Sequence, residues 1–205
     1  MINQTLSDYI ESVVAEFDQI PEERKPLLKQ VADFVENSLE KEGIANLTLI
    51  CTHNSRRSHL SQVWTQVAAY YYGISGVFAY SGGTEATAMF PSAGKALSKA
   101  GLEINKLSEE SNPVYSIKYA ENQPAIIGFS KTYDHAFNPQ SGFAAVMTCT
   151  HADENCPVIP SAGQRISLPF EDPKAFDGTP QQEEKYDERC RQIARELFYA
   201  FSLIR

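Results

Sequence analysis

A short apolar strand pattern that runs straight into a cysteine-bearing polar loop constrains this chain more than any other feature. Asn46 to Ile50 reads Asn-Leu-Thr-Leu-Ile, a buried-strand composition. Cys51 to Ser58 follows with no spacer, and Leu60, Val63, Trp64, Val67, Ala68 and Tyr71 then recur at helical spacing up to Gly73. The same alternation continues. Val77 to Tyr80 is a second strand, Ser81 to Thr84 a loop, and Pro91 opens a helix that closes at Gly101. Val114–Tyr119 and Ala125–Phe129 form two arms of a hairpin, Phe143 to Thr148 is another buried strand, and a long loop runs from Cys149 to about Thr179. Thr179 and Gln182 spell a capping box with Pro180 at the first helical position; Tyr186, Cys190, Ile193, Leu197 and Phe201 line one face of the final helix. Strands alternating with helices predict an α/β chain with a mostly parallel central sheet covered on both sides.

Two further helices precede the first strand. Ile10, Val13, Val14 and Phe17 mark one over residues 5–20, stopped by Pro21; Leu27, Leu28, Val31, Phe34, Val35 and Leu39 mark another over 22–42, with Gly43 as its C-cap. Residues 1–44 are expected to be an N-terminal helical extension of an α/β domain spanning 45–205. The apolar stripes of these helices either pack on that domain or form a dimer contact or docking face.

Charge excludes whole classes of function. Eighteen basic against 26 acidic residues give a net charge of −8, so the chain carries no general footprint for nucleic acid or an anionic membrane. The start, Met-Ile-Asn-Gln-Thr-Leu-Ser-Asp, has neither the basic nor the apolar region of a secretory signal, and no apolar run approaches the ~18 residues of a membrane span. A reducing cytoplasm is the expected compartment. Four cysteines are too few for a disulfide scaffold, and in that compartment they are reactive or metal-bound more often than structural.

In Cys51-Thr52-His53-Asn54-Ser55-Arg56-Arg57-Ser58, five residues separate the cysteine from Arg57. Successive amides in such a loop form a nest for a tetrahedral oxyanion, and the following helix adds its positive end. Arg57 can clamp two oxygens at once. The same field favours the Cys51 thiolate, and the Ser58 hydroxyl can hydrogen-bond it. Bound anion and nucleophile thus share one electropositive cup at the carboxyl end of a strand, where open parallel sheets bind ligands.

Cys51 to Ser58 resembles the active-site loop of low-molecular-weight protein tyrosine phosphatases and of the arsenate reductases that share their fold. Phe170-Glu171-Asp172-Pro173 resembles the family's Asp-Pro segment. By resemblance the fold is a three-layer sandwich around a four-stranded, mostly parallel sheet, and Asp172 is the general acid. Taken alone, Asp172 reads equally as a turn residue before proline. Phe143 to Pro157 separates the family's branches. Six residues lie between Cys149 and Cys156, and Asn155-Cys156-Pro157 closes the stretch; this is similar to the second and third cysteines of thioredoxin-coupled arsenate reductases. The resemblance implies a relay. Cys51 attacks arsenate, Asp172 helps oxygen leave, and Cys149 resolves the adduct to arsenite and a Cys51–Cys149 disulfide. Cys156 then moves the disulfide outward, where a thioredoxin-like dithiol reduces it. A phosphatase acting on phosphomonoesters needs only Cys51, Arg57 and Asp172. A third reading is a non-catalytic oxyanion-binding or redox-sensing module that keeps the cup without turnover. Zinc on Cys149, His151 and Cys156, with Cys51 or His53, has no standard spacing and leaves the loop unexplained. Cys190 reads as core.

The likeness has departures. Arg56 stands where related reductases often have cysteine, and His53 where a small residue is common; His53 either alters the cup or faces solvent. Some family members bind potassium near the loop. Asn54 and Ser81 match two of its positions, but Gln62 stands where a glutamate is expected, so no metal or other cofactor is predicted. No tyrosine pair follows Asp172-Pro173, only Lys174-Ala175-Phe176.

Overall fold

The computed structural model describes residues 1–155 and 158–205, so Cys156 lies outside the described residues. Strands β1 (Ala45–Cys51), β2 (Val77–Gly83), β6 (Phe143–Met147) and β7 (Ala162–Ser167) form an all-parallel sheet in the order β2-β1-β6-β7. A separate antiparallel sheet holds β3 (Glu103–Lys106), β4 (Tyr115–Lys118) and β5 (Ile126–Gly128). The helices are α1 (Gln4–Val14), α2 (Lys25–Glu42), α3 (Arg57–Tyr71), α4 (Pro91–Lys99), α5 (Thr150–Asn155) and α6 (Gln182–Ser202). Among the described residues, no helix is long and apolar enough to cross a membrane.

Alternation along the central strands creates two unequal cores. Leu47 and Leu49 of β1 and Ala144 and Val146 of β6 face a large cluster that includes Val31 and Val35 of α2, Leu60, Trp64 and Val67 of α3, and Ile193, Leu197 and Phe198 of α6. Ile50, Phe143, Ala145 and Met147 face the opposite way, into a smaller cluster with Cys51, Cys149, Ala152 of α5 and Ile159. Both cysteines that the sequence puts at strand ends therefore belong to one small apolar layer.

The two leading helices share the larger core. Leu6, Ile10, Val13, Leu28, Val31 and Val35 are all fully buried, and burying each such aliphatic side chain is worth about 1.5–3 kcal/mol. Asn3 caps α1 through its side chain and also donates from Nδ2 to the Gly101 carbonyl at 2.8 Å. Gly101 has φ +106°, and a Cβ there would lie 2.5 Å from the Leu6 nitrogen. Gly101→Ala is therefore expected to cost about 2 kcal/mol or more and to loosen α1 first. Thermal unfolding and amide exchange at Leu6 and Ile10 measure both effects.

The structure differs from the sequence expectation at several elements. The stretch Cys149–Thr179 is not one loop: it holds α5, β7 and a single 3-10 turn at Pro173–Phe176. β7 is an edge strand whose only buried residue is Ile166, so it has no apolar alternation to read. α5 spans less than two turns, too short for a helical period. β2 runs on through Gly82 and Gly83, which read as loop residues. A Cβ on Gly82 would meet the Tyr133 Cα at 2.5 Å, and one on Gly83 the Glu85 carbonyl at 2.3 Å. These glycines mark close backbone approach, not a turn. The expected capping box is displaced by one residue. Gln182 Oε1 accepts from the Gly178 N–H at 2.6 Å, Thr179 Oγ1 from the Gln181 N–H at 3.3 Å, and α6 starts at Gln182.

Candidate active site

Every residue assigned to the chemistry, among those described, sits at the carboxyl edge of the parallel sheet. Cys51 ends β1 opposite Gly83 of β2. Ile50 pairs with Met147 of β6, two residues before Cys149. The chain leaving β7 is tied to the same edge: Leu168 N–H donates to the Met147 carbonyl at 2.9 Å, and Phe170 N–H to that of Thr148 at 3.1 Å. Asp172 follows two residues later. Because β1 lies between β2 and β6, its outgoing loop opens at the point where connections diverge to both sides.

The loop's carbonyls are tied outward. Those of Cys51, Thr52 and Ser55 accept from the N–H groups of Thr84 (3.2 Å), Glu85 (2.8 Å) and Phe90 (2.9 Å). That of His53 accepts from the Thr87 and Ser130 hydroxyls, each at 3.0 Å. Carbonyls turned out leave amides turned in, above the first turn of α3, which begins at Arg57. Asn54 makes the turn with φ +43°, the one positive φ at a non-glycine residue among those described; asparagine tolerates that conformation better than most residues.

Hydrogen bonds order the polar side chains around Cys51. Asn54 Oδ1 accepts from the Lys131 backbone N–H at 2.9 Å, so its Nδ2 is the group that donates to Ser58 Oγ at 2.8 Å. Ser58 Oγ also lies 3.1 Å from Cys51 Sγ, with its hydroxyl proton free to point at that sulfur. Thr52 Oγ1 lies 3.5 Å from Cys149 Sγ and 3.3 Å from His151 Nδ1, so one hydroxyl of the loop touches the second thiol. Cys149 Sγ also accepts from the Ala152 N–H at 3.3 Å. His53 stands at the rim, its Nε2 3.7 Å from Glu85.

The two arginines part company. Arg57 donates through NH2 to Asp172 Oδ2 at 2.5 Å and through NH1 to the Phe170 carbonyl at 3.0 Å. Arg56 turns into the protein, donating from Nε to the Tyr186 hydroxyl and from NH2 to Asp177 Oδ2, both at 2.5 Å. Its guanidinium also stacks 4.1 Å from the Phe90 ring centroid. The Tyr186 hydroxyl donates to Asp177 Oδ1 at 2.7 Å, and burial raises its pKa. Neighbouring arginines thus hold both ends of the turn that carries Asp172. Asp172 caps that turn as well, accepting from the Lys174 N–H at 3.1 Å.

The sequence reading did not single out Lys131, His59, Asp177 or Tyr186 as site residues with these roles. Ser130-Lys131-Thr132 looks like solvent-facing loop, and only the fold reveals that Lys131 is 2 % exposed. Cys190 is core: it accepts from Trp64 Nε1 at 3.2 Å, and burial pushes its thiol up to about 12. Among the described residues, no group of three or more potential ligands gathers as for a metal.

Fold and loop together define a class: this is an α/β protein with the low-molecular-weight phosphatase fold. The low-molecular-weight phosphotyrosine phosphatase VcLMWPTP-2 of Vibrio cholerae superimposes with a TM-score of 0.50 at 12% identity, covering 77% of this chain and 94% of that one. Within the class, the sequence is arsenate-reductase-like. It is 29% identical over 133 residues to an arsenate reductase of Halalkalibacterium halodurans, covering 65% of this chain and 77% of the relative. It is 26% identical over 153 residues to one of Bacillus licheniformis, covering 75% and 91%. No family model matches the chain.

Proposed function

We propose that this chain reduces arsenate to arsenite by a thiol relay through Cys51, Cys149 and Cys156. The observation that carries the reading is the contact between Cys149 Sγ and Thr52 of the nucleophile loop. A second buried thiol beside the cup has no task in phosphate-ester hydrolysis. It has an obvious one if the adduct on Cys51 must be resolved by sulfur. Likeness to proteins named arsenate reductase points the same way.

The Cys51 thiolate attacks arsenic(V) held by the loop amides and Arg57. One arsenic–oxygen bond breaks, and Asp172 supplies the proton that lets the oxygen leave as water. The Cys149 thiolate then attacks Cys51 Sγ, and the electron pair of the breaking sulfur–arsenic bond reduces arsenic to arsenic(III). Arsenite departs and a Cys51–Cys149 disulfide remains. Cys149 is 1 % exposed, so that disulfide is shut off from a protein reductant. Attack by Cys156 on Cys149 Sγ restores the Cys51 thiolate and leaves a Cys149–Cys156 disulfide. A dithiol protein of the thioredoxin type reduces it, as a reducing compartment requires.

The alternative, a phosphomonoesterase forming phosphocysteine on Cys51, uses the same cup without the other thiols. The deciding experiment is arsenite production with thioredoxin, thioredoxin reductase and NADPH, using the intact chain and Cys156→Ser. The intact chain should turn over. The variant should stop after one equivalent of arsenite with a Cys51–Cys149 disulfide, visible by peptide mass mapping. Arsenate-independent hydrolysis of aryl phosphates by both proteins, with no arsenite formed, would establish the alternative.

A further inference from the structure

Lys131 is among the largest fully buried side chains of the protein, yet it has no carboxylate partner among the described residues. Its Nζ lies 3.4 Å from Ser81 Oγ and 3.3 Å from the Phe129 carbonyl. The rings of Phe129 and Phe137 stand 4.4 Å and 5.3 Å from it, presenting their faces. A lone ammonium in such a place is costly, and cores avoid it unless it does something. Burial lowers its pKa to about 7.

The backbone of this residue touches the Cys51 loop directly, and its ammonium is linked to it through Ser81 and His59. Its backbone N–H donates to Asn54 Oδ1, and Asn54 orients Ser58, which touches Cys51 Sγ. Its ammonium contacts Ser81 Oγ, which is 3.4 Å from His59 Nδ1, and His59 in turn meets the Asn54 backbone. His59, on α3, is held neutral: burial, then the Lys131 charge, push its pKa down to about 3. Two other titratable groups approach the site, both behind a ring. His135 packs edge-on to Phe129, and Tyr80 of β2 packs edge-on to Phe137. Of the two buried bases Lys131 and His59, Lys131 is therefore the one that can carry a charge.

We propose that Lys131 is a positioning residue that supplies a built-in positive charge behind the oxyanion cup, strengthening anion capture when protonated at the cost of fold stability. The proposal rests on the reading that the Cys51 loop binds a tetrahedral oxyanion. In an acidic chain this charge offsets at short range a field that otherwise repels the substrate.

The direction of each pH effect follows. Below about pH 7 Lys131 is charged in the folded and unfolded states alike, and the fold bears the whole cost of burying it. Between about 7 and 10.5 the unfolded chain binds the extra proton, so this residue's contribution to stability rises with pH. Anion affinity moves oppositely, falling as pH rises through the folded value.

Tungstate tests this, because it stays a tetrahedral dianion between about pH 6.5 and 9. Binding is measured by calorimetry in Cys51→Ser, which removes the thiol's own titration, with and without Lys131→Met. Both proteins keep every other group at the rim, so the difference between them isolates Lys131. Affinity in Cys51→Ser should fall several-fold across the range. Adding Lys131→Met should weaken binding about tenfold at the acid end, flatten the pH dependence, and raise Tm there by about 4 °C or more. A lysine that only fills space would show lowered Tm and an unchanged pH slope, which overturns the proposal, as does unchanged affinity. Failure of Cys51→Ser to bind tungstate at any pH would instead overturn the oxyanion reading itself, and this proposal with it.

Discussion

Cys149→Ser stops thioredoxin-coupled arsenate turnover, lowering it by about a thousandfold or more, while Cys51 remains open to reaction. The size follows from chemistry. A serine hydroxyl cannot form a disulfide, so the electron pair that reduces arsenic has no source. The substitution is gentle for the structure: Cys149 is buried beside Thr52 and at the start of α5, and a serine oxygen keeps the contacts to Thr52 Oγ1 and the Ala152 N–H. Near-wild-type thermal stability is therefore expected, and a large loss of activity can be assigned to the missing thiol. Hydrolysis of an aryl phosphate by Cys51, if present, should persist at its original rate. Arsenite formation coupled to NADPH oxidation checks the first statement and release of the phenol the second. Multiple turnover to arsenite by Cys149→Ser would end the relay.

How much of this was legible beforehand depends on what each segment has to bury. The β1–loop–α3 unit was readable because β1 is buried from Leu47 to Cys51 and the apolar residues of α3 recur at helical spacing, although α3 also buries its polar residues from Ser58 to Thr65. The hairpin β4–β5 and strand β6 were readable for the same reason. β3, with its polar residues Glu103, Asn105 and Lys106, gave no such signal, and neither did β7. Cys51, Cys149 and Asp172, singled out by their motifs, follow strands of the same parallel sheet, β1, β6 and β7. The partners of the two arginines were not legible. Arg56 and Arg57 are adjacent and chemically identical, and only the start of α3 between them sends one side chain to Tyr186 and Asp177 and the other to Asp172. Lys131 was invisible for a related reason. No local pattern marks a lysine whose burial depends on β2, α3 and the aromatic residues 129 and 137 meeting around it.

At the Arg57–Asp172 pair two effects should move in opposite directions. Arg57 spends its NH2 on Asp172 and its NH1 on the Phe170 carbonyl, so an arriving oxyanion has to compete with the carboxylate for the guanidinium fork. While Oδ2 accepts from Arg57 it is not delivering a proton to the leaving oxygen. Exchange of one anion for the other on Arg57 would therefore both seat the substrate and release the acid. Asp172→Asn keeps the shape, including an acceptor for the Lys174 N–H, and removes both the competing charge and the transferable proton. Oxyanion affinity should rise about threefold to tenfold, since a carboxylate no longer opposes it at close range. The rate of the first chemical step should fall by about 10²–10⁴, the usual contribution of a general acid. Single-turnover quench-flow on Cys156→Ser, with and without Asp172→Asn, separates the two through the concentration dependence and the plateau rate. Weaker binding together with an unchanged plateau would show that Asp172 only braces the turn at Pro173–Phe176. In that case the proton donor would have to be sought elsewhere at the rim, where His151 lies within reach of Thr52.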